Sequence, residues 1–214
     1  MDRKAFQVVS EYFDNVDRIT QFVYWSGVTT TNGACFRPTP IMQLGICLEE
    51  LLARKVIYPS QISHDAGYGD SRVVNALIAH GLTGTGSELD PLWAARGKFH
   101  SEMLFGTGAV GAIQLAHGDF NDDRTYEEGL GIRFEDIAIF YNYHNNPERL
   151  AAKKSKLSPN GTVYLLACHS EREPDYDGLK HAETLPLDPK SRWARFLHAY
   201  RKSATIIPVS GLNV

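Results

Sequence analysis

Apolar side chains recur at Phe6, Val9, Phe13, Val16, Ile19 and Val23, in steps of three and four. That rhythm predicts an amphipathic helix over residues 4–24 with one apolar stripe. A small, polar stretch from Trp25 to Ala34 follows, and then Phe36-Arg37-Pro38-Thr39-Pro40. Its two prolines set an extended path, and Thr39 as N-cap with Pro40 in first position would open a helix over about 41–55. Beyond it, strand-like runs near 61–65, 82–88, 112–117, 135–141 and 161–168 alternate with helical runs near 71–80, 91–104 and 147–157. Such alternation predicts a parallel sheet with helices on both faces. The runs Phe196–Lys202 and Ala204–Val209 around a short turn suit a terminal hairpin. The polar, proline-containing residues 170–190 read as a loop near the mouth of a pocket.

Composition narrows this α/β picture. A chain of 214 residues fits one domain with a sizeable core. The net charge of −3 comes from mixed acids and bases, and no basic tract marks a nucleic acid or a membrane surface as a partner. No apolar run approaches the roughly 18 residues of a membrane span, and the start Met1-Asp2-Arg3-Lys4-Ala5-Phe6 lacks the apolar centre of a signal peptide. Cys35, Cys47 and Cys168 show no Cys-x-x-Cys spacing, which favours a reducing cytoplasm and argues against a zinc site. The expectation is a cytoplasmic protein with no metal.

The chemistry concentrates in His64-Asp65-Ala66-Gly67-Tyr68-Gly69-Asp70-Ser71-Arg72, which joins an apolar run to Val73-Val74-Asn75-Ala76-Leu77-Ile78. This is the layout of a strand, a tight turn and a helix, with Gly67 and Gly69 free to adopt torsions closed to other residues. A dinucleotide fold wants Gly-x-Gly-x-x-Gly, and the third position here is Arg72. A pyrophosphate would also meet Asp65, a like charge. A carboxylate there suits a cationic, phosphate-free ligand, which leaves a nicotinamide-dependent reductase disfavoured.

At Asp65-Ala66-Gly67-Tyr68-Gly69 the chain resembles the class I S-adenosylmethionine-dependent methyltransferases, whose first motif reads Asp/Glu-x-Gly-x-Gly. Many members continue Asp-Gly-Arg; this chain continues Asp70-Ser71-Arg72, a departure that could crowd the turn. Glu88 follows Asp65 at about the 20-residue spacing of a ribose-binding acid at the end of a second strand. The resemblance implies that Glu88 accepts the ribose hydroxyls, with Leu89 beside it. Gly118-Asp119-Phe120 after the third strand resembles the adenine-side motif, with Asp119 on the amino group and Phe120 near the base. Some lysine-directed branches carry an aromatic-x-Pro-Thr-Pro, which would put Thr39 near the amino acid end of the cofactor. Taken singly, each acid reads equally as a solvated residue or a helix cap. The implied fold is a Rossmann-like, seven-stranded, mostly parallel sheet over 41–214. Residues 1–40 form an N-terminal helical extension that is a lid over the pocket, a structural helix packed on the core, or both.

In an open parallel sheet, ligands bind beyond the carboxyl ends of the strands. The fourth strand runs into Tyr141-Asn142-Tyr143-His144-Asn145-Asn146-Pro147, the best place for a reacting centre. It is not the Asn-Pro-Pro-Tyr of adenine-directed enzymes. Tyr141, Asn142 and His144 are the candidate catalytic residues. Tyr141 and Tyr143, with Trp25 if the N-terminal segment folds over, offer aromatic faces to a sulfonium. His144 is a candidate base, with His169 second, although any one of eight histidines can be structural. Asn145 or Asn146 can simply cap the next helix, with Pro147 at its first turn.

The reading is an S-adenosylmethionine-dependent methyl transfer, by in-line displacement, to a small molecule in preference to a protein side chain. One alternative directs a nucleophile to the aminocarboxypropyl carbon and releases methylthioadenosine. Another is a domain that binds the cofactor without turnover.

Overall fold

The computed structural model describes residues 3–25, 38–106, 113–143, 145–172, 174–191 and 194–203, with the side chains of 21–25 left aside. Helix α1 spans Arg3–Trp25 and α2 Ile41–Ala53. Strand β1 (Ile62–Ala66), α3 (Arg72–Ala79), β2 (Thr83–Glu88), α4 (Pro91–Phe105) and β3 (Ile113–His117) follow. Then come α5 (Asp123–Glu127), β4 (Ile139–Tyr143), α6 (Pro147–Leu157), β5 (Val163–Cys168), β6 (Leu179–Pro186) and β7 (Phe196–Lys202).

The seven strands form one sheet in the order β3-β2-β1-β4-β5-β7-β6. Strands β1 to β5 run parallel, and β7 enters antiparallel between β5 and β6. The order reverses at β1, whose neighbours are β2 on one side and β4 on the other. That is the switch point at which α/β sheets open a crevice.

Strand periodicity divides the core in two. On one face Ile139, Tyr141, Val163 and Leu165 meet Leu44 and Leu48 of α2, Val73 and Leu77 of α3, and Phe6, Val9 and Phe13 of α1. On the other, Phe140, Tyr164, Leu166 and Tyr200 meet Phe120, Tyr126, Phe134 and Leu150. The N-terminal helix therefore shares the main core. Its apolar stripe is shorter than its sequence implies: Val16 is half-buried and Ile19 is 77% exposed, while the side chain of Val23 lies outside the described residues.

Three other expectations are corrected. Residues 170–190 are not all loop: Leu179–Pro186 forms the edge strand β6, paired along its length with β7. Of the hairpin expected from 196–202 and 204–209, the run 204–209 lies outside the described residues. The fourth strand begins later than its apolar run suggests, because Phe134–Asp136 closes a turn of 3₁₀ helix bracketed by Arg133 and Asp136. Finally, Pro40 and not Thr39 holds the cap position of α2, with no side-chain capping bond.

Two buried polar groups stand out. His64 sits in β1 with Nδ1 on the Thr85 hydroxyl and Nε2 on that of Ser87, each at 2.9 Å. Burial, and then Lys153, lowers its pKa to about 3, so the ring is neutral. Lys154 of α6 is fully buried with its amine 4.6 Å from the centre of the Phe140 ring. Among the described residues no group hydrogen-bonds that amine, and burial pushes its pKa far down.

Candidate active site

The turn after β1 is built by glycine torsions and backbone hydrogen bonds. Gly67 has φ 95° and Gly69 φ 51°. The amides of Gly67 and Tyr68 donate to the Ser87 carbonyl at 2.8 and 3.2 Å, which pins the turn to the end of β2. A Cβ at Gly67 would fall 2.8 Å from Nδ2 of Asn145, so the loop after β4 comes down onto this glycine.

Asp65 lies one residue before the end of β1, with Gly86 and Tyr141 as its neighbours across the sheet. It is 3% exposed. Burial first, then the charges of Glu88 and Asp70, raise its pKa well above the usual carboxylate range. Among the described residues no cation compensates it.

Asp70, at the other end of the turn, is held by Arg72: Nε lies 3.0 Å from both carboxylate oxygens and Nη2 2.7 Å from one. Ser71 between them has φ 66° and ψ 8°, the left-handed conformation that explains why glycine is common there. Serine is accommodated because its Oγ donates to the Gly97 carbonyl at 2.8 Å and accepts from Asn75 and Ser101 at 3.0 and 2.9 Å. The side chain thus ties the turn to α4. A Cβ at Gly97 would lie 2.7 Å from the Gly69 carbonyl, so only glycine lets that helix approach so closely.

Glu88 is half-buried at the end of β2. Its oxygens accept from the amides of Gly69 and Asp90, each at 2.9 Å. It therefore braces the turn, and burial raises its pKa in spite of those bonds. Leu89 beside it is 52% exposed. Asp119 is half-buried and uses Oδ1 for the amide and side chain of Asn121. Phe120 is buried in the second core cluster.

At the end of β4 the candidates divide. Tyr141 is fully buried, and its hydroxyl meets Oγ1 of Thr39 at 3.0 Å. Burial is the main reason its pKa lies well above the usual phenol value, so it is neutral. Asn142 is also fully buried; its amide donates to the Asn145 carbonyl at 2.7 Å and its oxygen accepts from the Asn145 amide at 2.7 Å. That bracket shapes the loop carrying Asn145. Tyr143 is half-buried, and His169 is exposed just beyond β5. His144 and the side chain of Trp25 lie outside the described residues. Asn146 occupies the cap of α6 in a left-handed conformation without a side-chain capping bond, and Pro147 takes the first turn.

The structure thus gathers Asp65, Gly67, Gly69 and Glu88 around one turn, with Thr39 and Tyr141 paired beside β1. Asp17 against Arg72 was not singled out from sequence, and Asn145, read there as a possible helix cap, lies instead against Gly67. A signal for Asn145 existed: two asparagines three apart after a strand favour a side-chain-to-backbone bracket.

No family model and no curated protein matches this sequence. Solved structures do match. An RNA methyltransferase from Salinibacter ruber, in complex with S-adenosyl-L-homocysteine, is 18% identical over 79% of this chain and 96% of its own, with a TM-score of 0.54. A geranyl diphosphate methyltransferase in complex with SAM is 16% identical over 74% of this chain and 85% of its own, at 0.52. MtNAS in complex with MTA and tNA is 12% identical over 95% of this chain and 70% of its own, at 0.56. The fold is that of the class I S-adenosylmethionine-dependent methyltransferases. Within this fold, Asp65 near the end of β1 and Glu88 at the end of β2 lie on adjacent strands beside the switch point. Among the described residues no cluster of His, Cys, Asp and Glu could hold a metal ion, and no described helix is long and apolar enough to cross a membrane.

Proposed function

We propose that the chain is an S-adenosylmethionine-dependent methyltransferase that acts on a small molecule in the cytoplasm. The observation that carries this reading is Asp65, a buried carboxylate with no compensating cation among the described residues, at the carboxyl end of the central strand. A ligand with a cationic amino acid end and no phosphate fits that position. A pyrophosphate does not, because the carboxylates of Asp65 and Glu88 would repel it.

The residues that would hold the cofactor are Asp65, Gly67 and Gly69 at the turn, Thr39 beside them, Glu88 with Leu89 on the ribose side, and Asp119 with Phe120 on the adenine side. The cofactor supplies an activated methyl group on a positively charged sulfur. The protein's part is to fix that group in line with the acceptor and to exclude water. Glu88 keeps one lone pair on each oxygen for hydroxyl donors while its other lone pairs hold Gly69 and Asp90. Tyr141, neutral and pinned by Thr39, keeps the floor of the site rigid, and Asn142 sets the loop from which Asn145 and His144 act. His144 is the proposed base for an acceptor that must lose a proton. Small-molecule acceptors are favoured by the modest net charge of −3 and the lack of a basic tract.

Calorimetric titration with S-adenosylmethionine and S-adenosylhomocysteine tests the reading. Micromolar binding supports it, and no heat at millimolar ligand would sink it.

A second reading, transfer of the aminocarboxypropyl group with release of methylthioadenosine, is supported by one observation. MtNAS, described in complex with MTA, spans 95% of this chain, against 79% for the RNA methyltransferase. Incubation with S-adenosylmethionine and chromatography of the products separates the readings. Methylthioadenosine above the spontaneous background favours the second; S-adenosylhomocysteine formed only with an acceptor favours the first.

A further inference from the structure

Arg72 joins several segments through its guanidinium, outside the roles already assigned. Its side chain is 3% exposed, and it meets three segments: the turn, α1 and the stretch before α2. Toward the turn it holds Asp70. Toward α1, Nη1 and Nη2 donate to the two carboxylate oxygens of Asp17 at 2.9 and 2.6 Å, a bidentate pair. One turn earlier on α1, the Phe13 ring lies under the guanidinium with its centre 5.1 Å away. Nη1 also donates to the Thr39 carbonyl at 3.4 Å. Thr39 passes the connection on through its Oγ1 to Tyr141, the cross-strand neighbour of Asp65.

A second joint lies close by. The Tyr12 hydroxyl is 2.7 Å from Nδ1 of His100 on α4, and α4 is the helix to which Ser71 ties the turn. Helix α1 is therefore fixed to both ends of one apparatus, the turn itself and the helix that supports it.

We infer that Arg72 is a positioning residue that makes α1 a working part of the cofactor turn, so that ligand binding at Asp65 and docking of α1 through Asp17 are coupled. The inference rests on the cofactor reading above. Its physical basis is that a bidentate guanidinium–carboxylate pair fixes orientation as well as distance, so a shift of α1 at Asp17 reaches Asp70 and Thr39 through one rigid planar group. Coupling of this kind is reciprocal: if α1 docking tightens ligand binding, ligand must tighten α1 docking by the same factor.

Asp17 is the probe of choice, because its side chain is 36% exposed and Asp17→Asn keeps its shape. The experiment uses the full chain with S-adenosylhomocysteine as ligand. Affinity is read by calorimetry, and docking by hydrogen exchange of the α1 amides with and without ligand. In the wild type, ligand slows exchange in α1 as well as in the turn. Asp17→Asn weakens binding about tenfold, within the usual range of coupling energies, and abolishes the ligand-induced slowing in α1. Asp17→Glu restores most of both, and Asp14→Asn, an exposed acid on the same helix, changes neither. Wild-type affinity in Asp17→Asn, or ligand protection confined to the turn, overturns the inference and leaves the cofactor reading standing. Failure of the wild type itself to bind S-adenosylhomocysteine overturns both.

Discussion

Asp65 and Asp70 stand five residues apart at the two ends of one turn, and both are buried. Asp70 is fully engaged by Arg72, which also reaches α1. Asp65 has the charges of Glu88 and Asp70 near it and no cation among the described residues. One carboxylate has an internal counter-charge, and the other, which we propose binds the ligand, has none among the described residues. Burial is therefore a poor guide to role; the presence or absence of an internal counter-charge separates the two.

The sharpest way to break this comparison is to remove the structural member. Asp70→Ala leaves Arg72 in the interior with Asp17 as its remaining carboxylate, and losing one partner of a buried pair costs about 3 kcal/mol. Urea unfolding should show that loss; a change well below 1 kcal/mol would mean that Asp70 is not structural.

Asp65→Asn should behave in the opposite way. The folded pKa of Asp65 is raised, so the stability it contributes is present below the ordinary carboxylate value and is lost as pH rises through the folded value. Near pH 7 the charge is a net cost, and Asp65→Asn should raise the melting temperature of the ligand-free protein. Affinity for S-adenosylmethionine should fall about a hundredfold, the equivalent of one charge-assisted hydrogen bond. Destabilisation together with unchanged affinity would reverse the assignment of the two aspartates.

Lys154 extends the comparison to a cation. It is buried without a hydrogen-bonding group among the described residues, and no proposed ligand reaches it. Lys154→Met should stabilise the protein by about 1 kcal/mol near pH 7. Its folded pKa is lowered, so the unfolded chain binds more protons between that value and the ordinary lysine value of about 10.4. Wild-type stability should gain from this group as pH rises from 7 to 9, and Lys154→Met should flatten that gain in denaturant titrations.

The smallest effect belongs to Ser71, between the two aspartates. Ser71→Gly relieves a left-handed serine but removes hydrogen bonds to Gly97, Asn75 and Ser101. Each of the three bonds contributes about 1 kcal/mol and relief of the left-handed backbone returns about 2 kcal/mol, so the net loss should stay near 1 kcal/mol by urea unfolding.

Strands β4 and β5 were legible as short apolar runs, whereas the polar β1 and β2 were legible from the glycine turn and the helical periodicity that follow them. Strand β6 was not: Leu179-Lys180-His181-Ala182-Glu183-Thr184-Leu185-Pro186 lies at an edge, where charges and a terminal proline are tolerated and the apolar signal fades. The turn announced its glycines and acids, yet the division of labour between Asp65 and Asp70 depends on Asp17, which lies 55 residues before Arg72. No local pattern encodes that pairing. Likewise Tyr141 and Asn142 carry the residue types of a reacting centre, and their full burial and their bonds to Thr39 and Asn145 have no local signature.

The amine of Lys154 offers one more use. An uncharged primary amine is a strong nucleophile, but one sealed beneath α6 is out of reach of an acylating reagent until that helix lifts. Its rate of modification would act as a clock for excursions of α6 from the sheet. Lys154 packs on the face of the sheet opposite α1, where α6 shares its core cluster with Phe120, so that clock would report on the second face of the sheet.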